Sequence, residues 1–508
     1  MDSPFSFSDD YALVFQQRIR AFRENLDLES KCEARGEDRI SQLPDAVLRH
    51  ILSFLPSTKC VVRTSILSTR WKHIWAYVPN LYLDDEEFFS SADFVAFVDR
   101  VLLVRDSSAI QKFHLHFNYC HTEDFSRIDG WIRTAVSCNV VELDLSVDSD
   151  GEEMFELPIS LLTCETLKVL SLMSMFIINV PTSGCFPSLK FLHLHFTVNC
   201  GYQTSMDLFD IPVLEHLSIY GDLEDNLLDF KISAPELKTL RIDMYSSDDL
   251  HWLYNFSIDA PKLEKLDLKG GSLSNFSLKN TKSLVEADIK LYLDRNEYYV
   301  GEDSVNRATE FLAGISMVKY LSLSWGIYEA CTVPAFDNLS KLTLFLDGSH
   351  WWKFLMKLLE RSPNLECLVI DDGFYPPRRQ LEAEMIELPE KKEEVFELTK
   401  QEVEMRIDRE YRMFLNWIAP ESVPNCLLSH LKTISIKGFK GKAYIIYLDE
   451  MELTKYLLKN CRVLEKMTIY TPGLWRGTKE DIYSEISMFE WGSKTVQVEL
   501  IEKLFYRC

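Results

Sequence analysis

Two pairs of histidines are the first residues in this sequence whose type and spacing could do chemistry. His114 and His116, and again His193 and His195, stand two apart in apolar-alternating stretches. That spacing sets both imidazoles of a pair on one face of a strand and offers a metal two nitrogen donors. Two donors make a poor site, so these four read as surface histidines. Twelve cysteines lie scattered from Cys32 to Cys508 with no CxxC pair, which reads as free, mostly buried thiols and not as a zinc site or disulfide framework. A phosphate-binding P-loop, a nucleophile elbow, a zinc-protease helix and the kinase motif set are all missing from the 508 residues. No metal, cofactor or catalytic constellation stands out among them.

The elements that carry these histidines form a repeat. The pattern LxxLxL, apolar at each marked place, begins at Ile110, Val140, Leu167, Leu189, Leu214, Leu237, Leu263, Leu284, Val318, Leu339, Leu365, Leu431 and Leu464. Successive steps are 30, 27, 22, 25, 23, 26, 21, 34, 21, 26, 66 and 33 residues, mostly in or near the 20 to 29 typical of leucine-rich repeats. The second half of each unit predicts a strand with its leucines pointing inward, and each repeat leaves an apolar flank that only the next can cover. Stacked, the units predict a parallel sheet lining a concave face. Pro187, Pro235, Pro261 and Pro363 precede strands and suit an extended approach. The usual ninth-place asparagine is replaced by Met175, Thr197, Asp222, Tyr245, Gly271 and Gly373, so the array should be irregular.

Residues alternating with the buried leucines should face the concavity. They are Lys112, His114, His116, Glu142, Asp144, Phe191, His193, His195, His216, Tyr220, Arg241, Asp243, Lys265, Asp267, Lys269, Glu286, Asp288, Lys290, Tyr320 and Phe345. Mixed charge with aromatics suits selective protein recognition. Target-binding candidates among them are His114, His116, Phe191, His193, His195, His216, Tyr220, Arg241, Lys265, Lys269, Lys290 and Tyr320. The two histidine pairs sit three repeats apart, on the order of 14 Å at the usual strand spacing, and cannot share an ion.

Ahead of the repeats lies Asp38 to Val78. Leu43-Pro44-Asp45 suits a helix start, and Val47, Leu48, Ile51, Leu52 and Leu55 make one apolar stripe that Pro56 stops. A second helix is expected from about Lys59 to Leu67, and a third, capped by Ser68-Thr69, carries Trp71, Ile74 and Trp75 on one face. So small a unit can hardly bury all this apolar surface alone. LPDAVLRHILSFLP followed by RTSILSTRWKHIW resembles the F-box in its plant form. The resemblance implies docking on the Skp-type adaptor of a cullin-RING ubiquitin ligase, through Leu43, Pro44, Ile51, Leu52, Leu55, Pro56, Leu67, Ser68, Trp71 and Trp75. Ser57 departs from the family's LPTK run and lengthens the turn between the first two helices by one residue. Six basic and two acidic side chains fall between Asp38 and Trp75, while the whole chain carries −23 and a pI near 5.0. A basic knob on an acidic body favours an acidic partner at that one place.

Trp417-Ile418-Ala419-Pro420, VPNCLLSHLKTISIKGFKGK from Val423 and MELTKYLLKNCRVLEKMTIY from Met451 are similar to the FBD region of plant F-box proteins. Asn425 replaces the usual Glu, and Ile434 and Ile436 replace aromatics. The segment contributes two more repeat strands joined by a helix over 450–459 and should cap the array. The expected organisation is therefore α/β: N-terminal extension 1–37, three-helix F-box 38–78, linker helix 79–105, irregular leucine-rich-repeat solenoid with a parallel concave sheet 106–375, charged insertion 376–412, FBD region 413–485 and tail 486–508. The insertion holds eight basic and eleven acidic residues from Arg378 to Arg412, and its apolar spacing predicts an amphipathic helix.

Acidity argues against general nucleic-acid binding. No run of eighteen apolar residues occurs and the acidic start is unlike a secretory signal, so an intracellular protein, nuclear and/or cytoplasmic, is expected. The resemblances together imply the substrate-recognition subunit of a Skp-cullin-F-box (SCF) ubiquitin ligase, the repeats selecting the target. Two alternatives stand beside it: a small-molecule-sensing F-box receptor and a non-degradative repeat scaffold.

Overall fold

The computed structural model describes residues 40, 42–105, 109–149, 155–174, 176–177, 185–197, 205–209, 211–222, 228–245, 254–270, 276–291, 302–324, 331–345, 351–371, 420, 422–437, 447–472 and 479–503. The extension 1–37, the insertion 376–412 with its expected helix, and the ladder positions Met175, Gly271 and Gly373 lie outside them. The chain divides into two compact units, Met1–Tyr202 with Phe209–Gly221, and Gln203–Leu208 with Asp222–Cys508.

The first unit opens with three short helices, α1 (Asp45–Leu52), α2 (Thr58–Arg63) and α3 (Trp71–Ile74). Pro44 sits at the N-cap of α1 in extended conformation, and Asp45 in the first turn takes Arg70 at 2.6 Å. The expected helix to Leu67 is shorter, because Arg63 passes into a 3₁₀ turn over Thr64–Ile66. Ser68 and Thr69 do not cap α3; Arg70 occupies the N-cap without a side-chain bond. The added Ser57 is the N-cap of α2 instead, its hydroxyl accepting from Cys60 N at 3.3 Å.

Six parallel strands follow in chain order: Asn80–Asp84, Lys112–Cys120, Glu142–Ser149, Val169–Ser174, Phe191–Thr197 and His216–Asp222. The first lies in the stretch expected to be only a linker helix, and Val78, Leu81 and Leu83 repeat the LxxLxL burial there. The linker helix forms just beyond it, at Ser91–Val104, capped by Ser90. Behind the sheet it packs with Phe125–Ser137, Phe94 meeting Phe117 at 5.0 Å and Trp131 at 6.3 Å.

The second unit holds nine more parallel strands: Thr239–Tyr245, Lys265–Gly270, Glu286–Leu291, Tyr320–Ser324, Lys341–Phe345, Cys367–Asp371, Thr433–Lys437, Lys466–Pro472 and Gln497–Lys503. The last of these lies in the stretch expected to be a tail. A smaller sheet of Phe276–Lys279, Tyr254–Asp259, Leu228–Ser233 and Ser205–Phe209 backs it, with Phe230, Phe256 and Phe276 stacked at 4.5 and 5.2 Å.

The steps of 30, 34 and 33 residues hold the helices Phe125–Ser137, Glu302–Gly314 and Tyr447–Asn460, and the 26-residue step from Leu339 holds the helix Trp351–Glu360. The steps from Leu189 to Leu284, of 21 to 26 residues, each hold a further strand and no helix among the described residues. Every residue at the three marked places of all thirteen repeats is at most 4% exposed. The fold is thus a leucine-rich-repeat α/β solenoid preceded by helices and ended by the helical FBD segment.

Candidate partner-binding faces

The three small helices place their apolar residues in two neighbouring rows. Leu48 and Leu52 turn inward at 0% and 2% exposure and pack with Trp71, Ile74 and Trp75, while Val47 and Ile51, one position before each, stay at 41% and 42%. With them Phe54, Ile66 and Leu67 stand exposed at 73%, 87% and 63%. Of the residues the F-box resemblance assigns to the adaptor, Pro44, Ile51, Leu67 and Ser68 are exposed, and Leu43, Leu55 and Pro56 are half-buried. Leu52, Trp71 and Trp75 are core: they fix the helices that present the face and offer it little surface. Val47, Phe54 and Ile66 enlarge the set that sequence reasoning named. Basic Arg63, Arg70 and Lys72 are exposed in the same helices.

This knob is bound to the first strand and to the turn that follows it. Ser57 donates to Glu87 Oε2 at 3.0 Å, Tyr82 N donates to Thr58 Oγ1 at 2.8 Å, and Lys59 donates to the Glu87 carbonyl while its ammonium sits 3.9 Å from the Phe88 ring. Burial pushes the Glu87 carboxyl above its ordinary value, against the Ser57 hydrogen bond.

In the first unit's sheet the strand register sets the residues between the core positions in rows, half-exposed except for the buried Ser146. Tyr82, His114, Asp144, Ser171 and His193 form one, and Asp84, His116, Ser146, Met173 and His195 the next. His114 Nδ1 lies 2.9 Å from Asp144 Oδ2, and His116 Nδ1 lies 3.6 Å from Asp84 Oδ1. Burial pushes His116 down, but the Asp84 hydrogen bond and charge, with Asp85 and Glu86 near by, outweigh it and raise its pKa. Asp84 is the mirror case: burial raises it, and the His116 bond and charge bring it below the usual carboxylate range. Asp144 is likewise held low against its burial, by His114 and by a hydrogen bond from Ser171. Ser171 therefore gives its proton to the Asp144 carboxylate. Among the described residues no group of three His, Cys, Asp or Glu could hold a metal.

The second unit's face is charged and internally matched. Arg241 pairs with Asp267 at 3.3 Å, Lys269 with Asp243 at 3.3 Å, Lys290 with Asp288 at 2.7 Å and Lys265 with Glu286 at 2.9 Å. Lys290 also lies 5.0 Å from the Phe345 ring. Arg241, Lys265 and Lys269 are thus paired with acids on neighbouring strands and Lys290 with one on its own. Burial, with the Asp288 charge beside it, pushes Asp267 up despite the nearby Lys269 and Arg241. Tyr320 stands out at 46% exposure.

Comparison with known proteins bears on both faces. The F-box domain family matches residues 40–82, the At1g61320/AtMIF1 LRR domain family residues 101–384, and the FBD family residues 419–469. F-box/LRR-repeat protein 13 of Arabidopsis thaliana is 32% identical over 466 residues, covering 87% of this chain and 92% of that one. This chain belongs to the plant F-box/FBD/LRR-repeat family. F-box/FBD/LRR-repeat protein At1g78750 of the same plant is 30% identical over 505 residues, 93% of this chain and 99% of its own, and At4g00160 is 30% identical over 444 residues, 86% and 87%. The F-box match begins at Ile40 and ends at Tyr82, so it takes in all three helices and the start of the first sheet strand. The FBD match spans the strand Thr433–Lys437 and the helix Tyr447–Asn460.

Proposed function

We propose that this chain is the substrate-recognition subunit of an SCF-type ubiquitin ligase. Its F-box docks on the Skp-type adaptor, and through that on the cullin-RING ligase, while the repeat face holds the protein to be ubiquitinated. The chain itself supplies no chemistry; it raises the effective concentration of a target beside the charged conjugating enzyme. One observation carries the reading. In the F-box segment Phe54, Ile66 and Leu67 are each more than 60% exposed, apolar side chains that favour a partner over water. Family membership supports the nature of that partner, and the basic surroundings suit an acidic one. The ion-paired lysines of the second unit give little support to a small-molecule sensor. Such a subunit works inside the cell, in nucleus or cytoplasm, without nucleic acid or membrane.

The test is co-purification of the full chain with a Skp-type adaptor. Capture lost in a Phe54→Ala/Ile66→Ala variant whose melting point is unchanged supports the reading; undiminished capture refutes it. Stabilisation of a co-expressed target in that variant separates a degradative receptor from a scaffold.

A further inference from the structure

We propose that the strands Val169–Ser174, Phe191–Thr197 and His216–Asp222 together receive an uncharged, extended segment of a target protein, anchored on Phe191 and hydrogen-bonded by His193, His195 and His216. The inference rests on the reading of the chain as a target receptor and specifies the chemistry of what it takes. Two features of these strands separate them from the rest of the sheet. The first is unspent hydrogen-bonding capacity. His114 and His116 are taken up by Asp144 and Asp84, but the side-chain nitrogens of His193, His195 and His216 make no hydrogen bond or ion pair among the described residues. Their contacts are with rings: His216 stacks on Phe191 at 4.5 Å and 7°, and His195 meets Tyr220 edge-on at 6.3 Å. A neutral imidazole has one N–H to give and one lone pair to receive, which suits the amide groups of an extended chain. Phe191, 36% exposed beside them, offers a rigid apolar anchor of the kind that dominates interface energy.

The second feature is charge. Among the described residues the charged side chains in the rows beside these histidines are already matched: Lys112 with Glu142 at 2.6 Å and the two histidine–aspartate pairs. At the strand starts Lys190 pairs with Glu215 at 2.6 Å, and Lys168 is exposed just ahead of the first strand. A charged target residue set down among the histidines would lose water and meet no free opposite charge, so the segment that fits there is uncharged. Acid should release it. His193 lies beside Ser171 of one neighbouring strand, with Asp144 one strand further on, and feels His216 from the other side; His195 faces Met173 and Tyr220. Burial lowers both pKa values, joined for His193 by the His216 neighbour and opposed by Asp144. Near neutrality both rings are uncharged, and protonation at lower pH puts positive charge where the bound segment offers none.

The probe is a random dodecapeptide phage library, panned on the full chain near pH 7.5 and eluted near pH 5. The expected clones are uncharged at their invariant positions and lose about tenfold or more in affinity on Phe191→Ala, the loss of one anchor. A His193→Gln/His195→Gln/His216→Gln variant should bind more weakly near pH 7.5, since it alters the proposed hydrogen-bonding groups, and should lose no further affinity near pH 5. Clones that conserve Lys, Arg, Asp or Glu, clones indifferent to Phe191→Ala, or acid release that survives the three glutamines would each overturn the proposal. Adaptor capture on the same preparation reads separately: its failure sinks the ligase assignment and leaves the peptide result standing.

Discussion

Replacing Phe54 and Ile66 together by alanine tests the F-box face without disturbing what holds it up. Full burial of a large apolar side chain is worth about 1.5–3 kcal/mol. Phe54 keeps 73% of its surface in the free chain and Ile66 keeps 87%, so most of that energy is still to be gained on docking. Allowing for the alanine Cβ that remains, the pair should cost about 3 kcal/mol of adaptor affinity, roughly 150-fold in Kd. Folding should hardly notice, since exposed substitutions usually fall within about 0.5 kcal/mol. Leu52→Asp is the contrasting change. At 2% exposure it buries a carboxylate among Leu48, Trp71 and Trp75 and should cost about 3–5 kcal/mol of stability, so its lost binding would report unfolding. Isothermal titration with purified adaptor, beside thermal melts of each variant, separates the two. Wild-type affinity in the double alanine variant would show that docking uses another surface and would refute the reasoning.

Ser57→Ala should lower stability by about 1–2 kcal/mol, from loss of the N-cap on Cys60 N and of the donor to Glu87, visible as a lower urea midpoint with unchanged slope. Phe256→Ala, in the middle of the stacked Phe230–Phe256–Phe276 row and 1% exposed, should cost about 3–5 kcal/mol, with Phe256→Leu much milder by the same melt. The His116–Asp84 pair predicts a pH signature of modest size, about 1 kcal/mol or less for a part-exposed pair. The raised pKa of His116 gives stability that is complete below its ordinary value of 6.5 and lost as pH climbs through the folded value. The lowered pKa of Asp84 gives stability present above 3.8 and lost as pH falls through its folded value. His116→Gln should flatten the upper limb of a urea-midpoint profile between about pH 5 and 8; an unchanged limb would mean the pair does not form.

The repeat strands were legible because burial on one face and period-two alternation leave a pattern that no other element shares. Two strands of the main sheet escaped it, as did the four of the smaller sheet. Val78-Pro79-Asn80-Leu81-Tyr82-Leu83 has the same form but runs straight on from α3, where it reads as the way out of the F-box. Gln497–Lys503 carries Val498, Leu500 and Ile501 only half-buried, a weaker contrast than any earlier repeat. The exposed F-box face was hidden for a different reason. Val47 and Ile51 have the same helical spacing as Leu48 and Leu52, and a stripe five residues broad says that a face is apolar, not which flank a neighbouring helix covers. Phe54 lies beyond the end of α1, outside any helical period. Of the histidines, spacing placed all four on strand faces, but only cross-strand register shows that two meet aspartates and two do not.

The bonds between α2 and the first strand bear on how any target should be sought. A strand at the end of a sheet presents unpaired backbone groups, and proteins protect such edges by covering them. Here Tyr82 N, in the strand Asn80–Asp84, is satisfied by Thr58 Oγ1, and Ser57 and Thr58 are buried at 1% and 2%. The F-box helices therefore serve as the cover for the first repeat as well as a docking knob. Deleting residues 38 to 78 to trap bound targets would strip that cover, leaving Glu87 without Ser57 and Lys59 and the edge open to other strands. The truncated chain should aggregate or capture proteins unspecifically, whereas the Phe54→Ala/Ile66→Ala chain, with Ser57, Thr58 and Lys59 in place, should stay monodisperse on size-exclusion chromatography. Equal behaviour of the two on the column would show that the first strand needs no F-box to protect it.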